Sequence, residues 1–218
     1  MMNGILSPAF LQAAGRAGKS KFNGLILMSN ADDPSISSVS CDGEMTVKTT
    51  KNGVEHIDTY SDLEGETLAI SADKNTEIYI SGNLIGNWEI GRNANFVSIK
   101  CTNTALTELN CNSCYALQEL DLSANAALTE LYCYGCNALQ KLNLSTNTTL
   151  TQLSCTNCFK INTIYYPATN GSVSSAIAGA ISNSEADDGT VYTDSQGAEY
   201  STIATAATAK GWTIEQLS

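Results

Sequence analysis

Three cysteine pairs with one spacing, Cys111-x-x-Cys114, Cys133-x-x-Cys136 and Cys155-x-x-Cys158, are the residues of this chain whose type most readily suggests chemistry. Two consecutive pairs of this kind have the spacing with which four thiolates close a tetrahedral zinc site. The single histidine, His56, lies between Glu55 and Ile57 with no Cys, His or nucleophile at a telling distance along the chain. It reads as an ordinary strand residue and not as a base or a ligand. Glu185, Asp187, Asp188 and Gly189 gather carboxylates in one place. They lack the alternating ligand pattern of a calcium loop, so they read as a solvated turn. With no glycine-rich phosphate loop after a strand and no nucleophile elbow, the expectation is a protein that is not an enzyme and holds neither cofactor nor metal.

The cysteine spacing belongs to a longer rhythm. From Leu106 to Ile161 the chain repeats one eleven-residue phrase five times: LTELNCNSCYA, LQELDLSANAA, LTELYCYGCNA, LQKLNLSTNTT and LTQLSCTNCFK. Positions 1, 4 and 6 are apolar throughout, while position 9 alternates between Cys (114, 136, 158) and Asn (125, 147), so the full period is twenty-two residues. Position 6 is shared by the cysteines with Leu122 and Leu144, as a packing role requires. Stacked strands lie about 4.8 Å apart, which sets the sulfurs in columns and not in a tetrahedron. We therefore expect ladders of reduced thiols, suited to folding in a reducing compartment.

In each phrase the apolar residues stand two apart, so both point to one side of a short strand and the residue between them points out. One phrase cannot bury its own leucines; stacking on the next can. Position 9 follows the strand at a bend, where Asn125 and Asn147 suit the backbone groups that a sheet leaves unpaired. On the cysteine-type phrases, the outward positions Asn110, Tyr132, Tyr134 and Ser154, with Tyr115 and Phe159 near the turns, are the candidate ligand-binding residues. Aromatic rings with polar tips make good contact residues.

The flanks divide the chain into an N-terminal docking segment (1–30), a small β cap (31–75), the repeats (76–171) and a C-terminal α/β cap (172–218). Ser7-Pro8 before AFLQAA and Gly15 reads as a short helix, with Arg16, Lys19 and Lys21 after it. The positive charges follow the apolar run, which is not the order of a secretory signal. Ile5, Leu6, Phe10 and Leu11, then Leu25 and Ile26, are too apolar to stand in water, since burying each large side chain is worth about 1.5–3 kcal/mol. We expect them to dock on another chain, a particle protein or a second copy. Asn52-Gly53 between Met45–Lys51 and Val54–Tyr60 predicts a hairpin. The triplets 68–70, 78–80, 88–90 and 99–101 read as degenerate rungs leading into the array. Beyond Pro167, helical and strand segments with a helix stop at Gly211 predict an end piece covering the last rung. Eleven Lys and Arg against twenty-two Asp and Glu give a net charge of −11. That argues against nucleic acid or an anionic membrane as partner, and no apolar run is long enough to span a bilayer.

The alternation of LTELxC with LxxLDLSxNxALTEL resembles the leucine-rich repeats of the internalin J type, with their cysteine ladder, and those of surface proteins of gut Bacteroidetes and their phages. The likeness covers about residues 76–171 and includes the closing AxAKGWTIEQL. A twenty-two-residue period lies within the range of such repeats. The resemblance implies a mainly β fold, a leucine-rich-repeat β-solenoid between an N-terminal β-hairpin cap and a C-terminal α/β cap. It also implies adhesion or recognition of a protein or glycan without catalysis. This chain departs from the pattern in carrying Cys at position 9 as well as position 6. Reduced thiols and an N-terminal docking segment add the expectation of a structural or decoration component of a larger particle such as a phage virion, at a virion or cell surface. The alternative is a secreted bacterial adhesin acting alone. If the cysteine columns serve packing, purified protein will contain no stoichiometric zinc and chelator will leave its melting temperature unchanged. One zinc per chain by elemental analysis would overturn that reading.

Overall fold

Alternating apolar and polar residues give this chain fifteen strands and two helices among the residues that the computed structural model describes, namely 24–84, 87–90, 95–102, 105–167, 171–194 and 197–217. The protein is mainly β. Five longer strands come first: β1 (Gly24–Ser29), β2 (Ser35–Lys51), β3 (Val54–Ser61), β4 (Glu64–Ala69) and β5 (Glu77–Leu84). They pair antiparallel, β2 with β3, β4 and β5, and β5 with β1. The predicted hairpin is present, with Asn52 at φ 53° and Gly53 at φ 71° forming the turn between β2 and β3. Both residues take the left-handed conformation that two-residue hairpins require. Lys51 ties this tip to Asp33 at 3.0 Å, and the Gly53 N–H donates to Asp73 Oδ2 at 3.2 Å.

The next eight strands are short and alternate between two parallel ladders. β6 (Asn87–Glu89), β8 (Glu108–Asn110), β10 (Glu130–Tyr132) and β12 (Gln152–Ser154) form the first. In the second, β7 (Phe96–Cys101) pairs with β9 (Glu119–Asp121), and β11 (Lys141–Asn143) pairs with β13 (Thr163–Tyr166). Within the regular phrases each pairing joins residues one full period apart, Leu109 with Leu131 with Leu153, so the repeat of the sequence is the register of the sheet; the entry pairings, Trp88 with Leu109 and Ile99 with Leu120, fall one residue short of it. The central residues of both ladders turn into one core, where Trp88, Leu109, Leu131 and Leu142 are buried together with all seven described cysteines of 101–158. At the N-terminal end both ladders grow from the antiparallel block: β6 is bridged to β2, and β7 pairs with β1.

This arrangement corrects two expectations. Leu25 and Ile26 do not form a docking strand for another chain: β1 is hydrogen-bonded on both edges, to β5 and to β7, and Leu27 beside them is fully buried. A strand with both edges filled has no ladder left to offer a partner. Ile5, Leu6, Phe10 and Leu11, with Arg16, Lys19 and Lys21, lie outside the described residues. The triplets at 68–70 and 78–80 are not parallel rungs either. β4 and β5 run antiparallel to β2, whose seventeen residues offer edge enough for both, and the parallel pairing starts at Trp88.

The C-terminal segment differs from an end piece of unrelated build. Helix α1 (Gly171–Asn183) leads to β14 (Thr190–Thr193), and α2 (Gly197–Lys210) leads to β15 (Thr213–Gln216). β14 and β15 extend the second ladder in parallel beyond β13, so each helix stands where the earlier phrases placed a strand of the first ladder. Helix α1 lies against β12, with Gly179 close to the Thr156 methyl. Gly211 ends α2 at φ 80°, and the Trp212 N–H donates to the Ala207 carbonyl at 2.9 Å, the Schellman closure. Gly189 leaves space for the Trp212 indole, since a Cβ there would sit 2.3 Å from the ring. Leu131→Ala will leave a cavity that stacked rungs cannot close, and will cost roughly 2–5 kcal/mol in denaturant unfolding. A loss below about half a kilocalorie would contradict the rung assignment.

Candidate functional site

The turns of the cysteine-type phrases hold the outward side chains in place. Phrase position 8 is left-handed there, at Ser113 (φ 60°), Gly135 (φ 72°) and Asn157 (φ 59°), a conformation open to Gly and tolerated by Asn. The Asn110 carboxamide oxygen accepts from the Asn112 N–H at 3.1 Å, and the Asn112 oxygen accepts from the Tyr134 N–H one rung on at 2.8 Å. Asn157 Nδ2 in turn donates to the Tyr134 hydroxyl at 2.8 Å. A polar chain thus runs along the stack at the turn edge. Tyr115 and Tyr134 stand exposed on it, at 53% and 43%, the Tyr115 ring lying over Gly135.

On the first ladder the outward residues form two rows. Glu108, Glu130 and Gln152 make one, and Asn110, Tyr132 and Ser154 make the other. The Tyr132 hydroxyl donates to Glu130 Oε2 at 2.6 Å and reaches Gln152 Oε1 at 3.1 Å. This bond, followed by burial, pushes the Tyr132 phenol up to about 12. Of the six residues singled out from the sequence, three therefore share one row and two flank it at the turn edge. Phe159 is apart from them, at a depression of about 270 Å³ between the last phrase and the segment after α1, where its carbonyl accepts from the Glu185 N–H at 2.7 Å.

Sequence reasoning missed the second ladder as a surface. Tyr165 and Tyr192 stack face to face with centroids 4.5 Å apart, and the Lys141 ammonium sits 4.7 Å from the Tyr165 centroid. The signal was present in the two triplets Thr163-Ile-Tyr165 and Thr190-Val-Tyr192, which the intervening helix separates. This ladder is also interrupted. β9 and β11 run within 8 Å of each other, Cα to Cα, yet share no ladder pairing. The opening continues outward as a groove of about 380 Å³ lined by Glu119, Asp121, Lys141 and Asn143. Side chains hold the stack together at this level: Asn147 Nδ2 donates to the Leu122 and Asn125 carbonyls at 3.3 and 2.8 Å, and Thr149 Oγ1 to that of Ala126 at 2.7 Å.

The residues whose type suggested chemistry are placed otherwise. His56 is exposed on β3 opposite Thr49. Glu185 pairs with Lys160 at 2.6 Å and Asp187 with Lys210 at 3.5 Å, both in solvent. The cysteines of the three pairs are reduced and buried, as is Cys101, and burial pushes the Cys101 and Cys155 thiols well above their ordinary value. Among the described residues no three His, Cys, Asp or Glu side chains are grouped to hold a metal ion. No helix among them is long and apolar enough to cross a membrane. Comparison with protein-family models, with curated proteins and with solved structures returns no match to this chain.

The Tyr132 pair gives a direct test of the row's geometry. A phenol whose folded value is raised contributes stability that is complete below about 10, its unfolded value, and is lost as pH rises toward 12. Glu130→Gln will remove the charged acceptor and bring the Tyr132 titration, followed by absorbance or ring NMR shifts, back toward about 10. An unchanged titration would mean that the hydroxyl does not bond Glu130 in solution.

Proposed function

We propose that this chain is a leucine-rich-repeat solenoid acting as a recognition module, binding a protein or glycan through the outward face of its cysteine-type phrases. The observation that carries this reading is the row Asn110, Tyr132 and Ser154, in register on a continuous ladder and flanked by the exposed rings of Tyr115 and Tyr134. Asn110 is bonded to its own turn, and Tyr132 and Tyr134 to the next rung, so this part of the face is ordered before any ligand arrives. Binding then loses little conformational freedom. A net charge of −11 disfavours polyanionic ligands and favours neutral or basic ones.

The module belongs, in this proposal, to a larger particle such as a phage virion, or to a cell surface, with the apolar residues Ile5, Leu6, Phe10 and Leu11 as its attachment. β1 takes no part in that attachment, because its edges are filled within the chain. A fluorescent form of the whole chain, applied to a glycan array and to bacterial cells, tests the binding face. Tyr115→Ala with Tyr134→Ala will lower retention at least tenfold while leaving the melting temperature within about 2 °C, as expected of exposed contact residues. Retention unaffected by the double substitution, or no retention of the unaltered chain on either surface, would overturn the proposal.

A further inference from the structure

The cysteines of position 9 all lean the same way. Cys114 Sγ lies 3.9 Å from the Ile90 carbonyl, Cys136 Sγ 3.2 Å from that of Cys111, and Cys158 Sγ 3.2 Å from that of Cys133. Each thiol therefore points back one rung, toward the residue at position 6 of the previous rung in its own ladder. For Cys136 and Cys158 that residue is itself a cysteine: the Cys136 thiol is within hydrogen-bonding reach of Cys111 and Cys158, and the Cys158 thiol of Cys133 and Cys136. Pairing Cys111 with Cys136 and Cys133 with Cys158 uses all four sulfurs, whereas a Cys136–Cys158 link would use only two. Cys114 meets Ile90, which offers no sulfur, and Cys155 meets the Ala176 carbonyl of α1. The geometry points to two latent disulfides that cross from rung to rung, Cys111–Cys136 and Cys133–Cys158, by which oxidation fixes the stack covalently.

The chemistry balances with a peroxide as oxidant. One sulfur attacks the O–O bond of hydrogen peroxide, which leaves as water and yields a sulfenic acid; the facing thiol then displaces the sulfenic oxygen as a second water. Two thiols give up their hydrogens and the peroxide is reduced. Burial keeps peroxide from reaching the sulfurs, so the folded protein oxidises slowly. Each link would join residues 25 positions apart and would tie three successive cysteine-type phrases into one unit. Two links between positions that distant restrict the unfolded chain strongly.

The test is to incubate the whole reduced chain with hydrogen peroxide and map the products by mass spectrometry of unreduced peptides. The expected product has lost about 4 Da, one disulfide accounting for two hydrogens. It yields the peptide pairs containing 111 with 136 and 133 with 158. It also melts roughly 5–15 °C higher, a gain that reductant reverses. Cys136→Ser with Cys158→Ser will abolish both links and the gain, while Cys114→Ser will retain both. The Cys114→Ser arm stands on its own if the double variant does not fold. Links within a turn such as Cys111–Cys114, a link between Cys136 and Cys158, sulfinic acids alone, or thiols that survive prolonged treatment would each overturn the inference.

Discussion

A chain that turns back every eleven residues meets the carbonyl after each strand with one N–H of its own turn, Cys111 with Cys114, Cys133 with Cys136 and Leu122 with Asn125, and leaves room on it for a second bond. The rest of the structure depends on that second bond, which a side chain at position 9 of the next rung supplies. Cysteine and asparagine do this differently. A thiol gives one weak bond, to Cys111 or Cys133, where the strands of the first ladder already pair. The Asn147 amide gives two, to Leu122 and Asn125, at the level where β9 and β11 do not pair. An amide bond of this kind is worth about 1 kcal/mol net. The stronger donor thus stands where the backbone contributes least.

The ends of the stack are managed by opposite means. At the N-terminal end one sheet carries both ladders, β6 on β2 and β7 on β1, so the first rung is laid on a template already hydrogen-bonded through β5. At the C-terminal end the second ladder continues through β14 and β15 while helices replace the first. A helix satisfies its backbone internally and needs no further strand beside it. The last cysteine-type phrase therefore faces α1, whose Ala176 carbonyl accepts from Cys155 at 3.5 Å. An exposed strand edge on that side, with its hazard of pairing to other chains, is avoided.

The repeat could be read from the sequence because its period is also its register: Leu109, Leu131 and Leu153 are spaced in the chain as they are paired in the sheet. The Asn52-Gly53 hairpin and the Gly211 stop were legible for a similar reason, each being a local backbone conformation that few residues adopt. What depends on partners distant in the chain was not legible. Leu25–Met28 looks like a free apolar patch until β5 and β7, about fifty to seventy-five residues further along the chain, are laid beside it. The triplet Ile78-Tyr-Ile80 has the spacing of a rung, but the length of β2 draws it into antiparallel pairing. Of the candidate site, the row on the first ladder followed from the phrase; the stacked Tyr165 and Tyr192 did not, because α1 breaks the period between them.

The interruption between β9 and β11 makes the molecule mechanically one-sided. A ladder with all its bonds resists stretching, whereas one with a missing set yields by sliding water into the gap. Bending the stack about an axis parallel to the strands will therefore lengthen the second ladder and leave the first nearly constant, as in a beam whose neutral line runs along one surface. The face that carries Asn110, Tyr132 and Ser154 is built on the uninterrupted ladder. Its spacing would be preserved while the body behind it flexes.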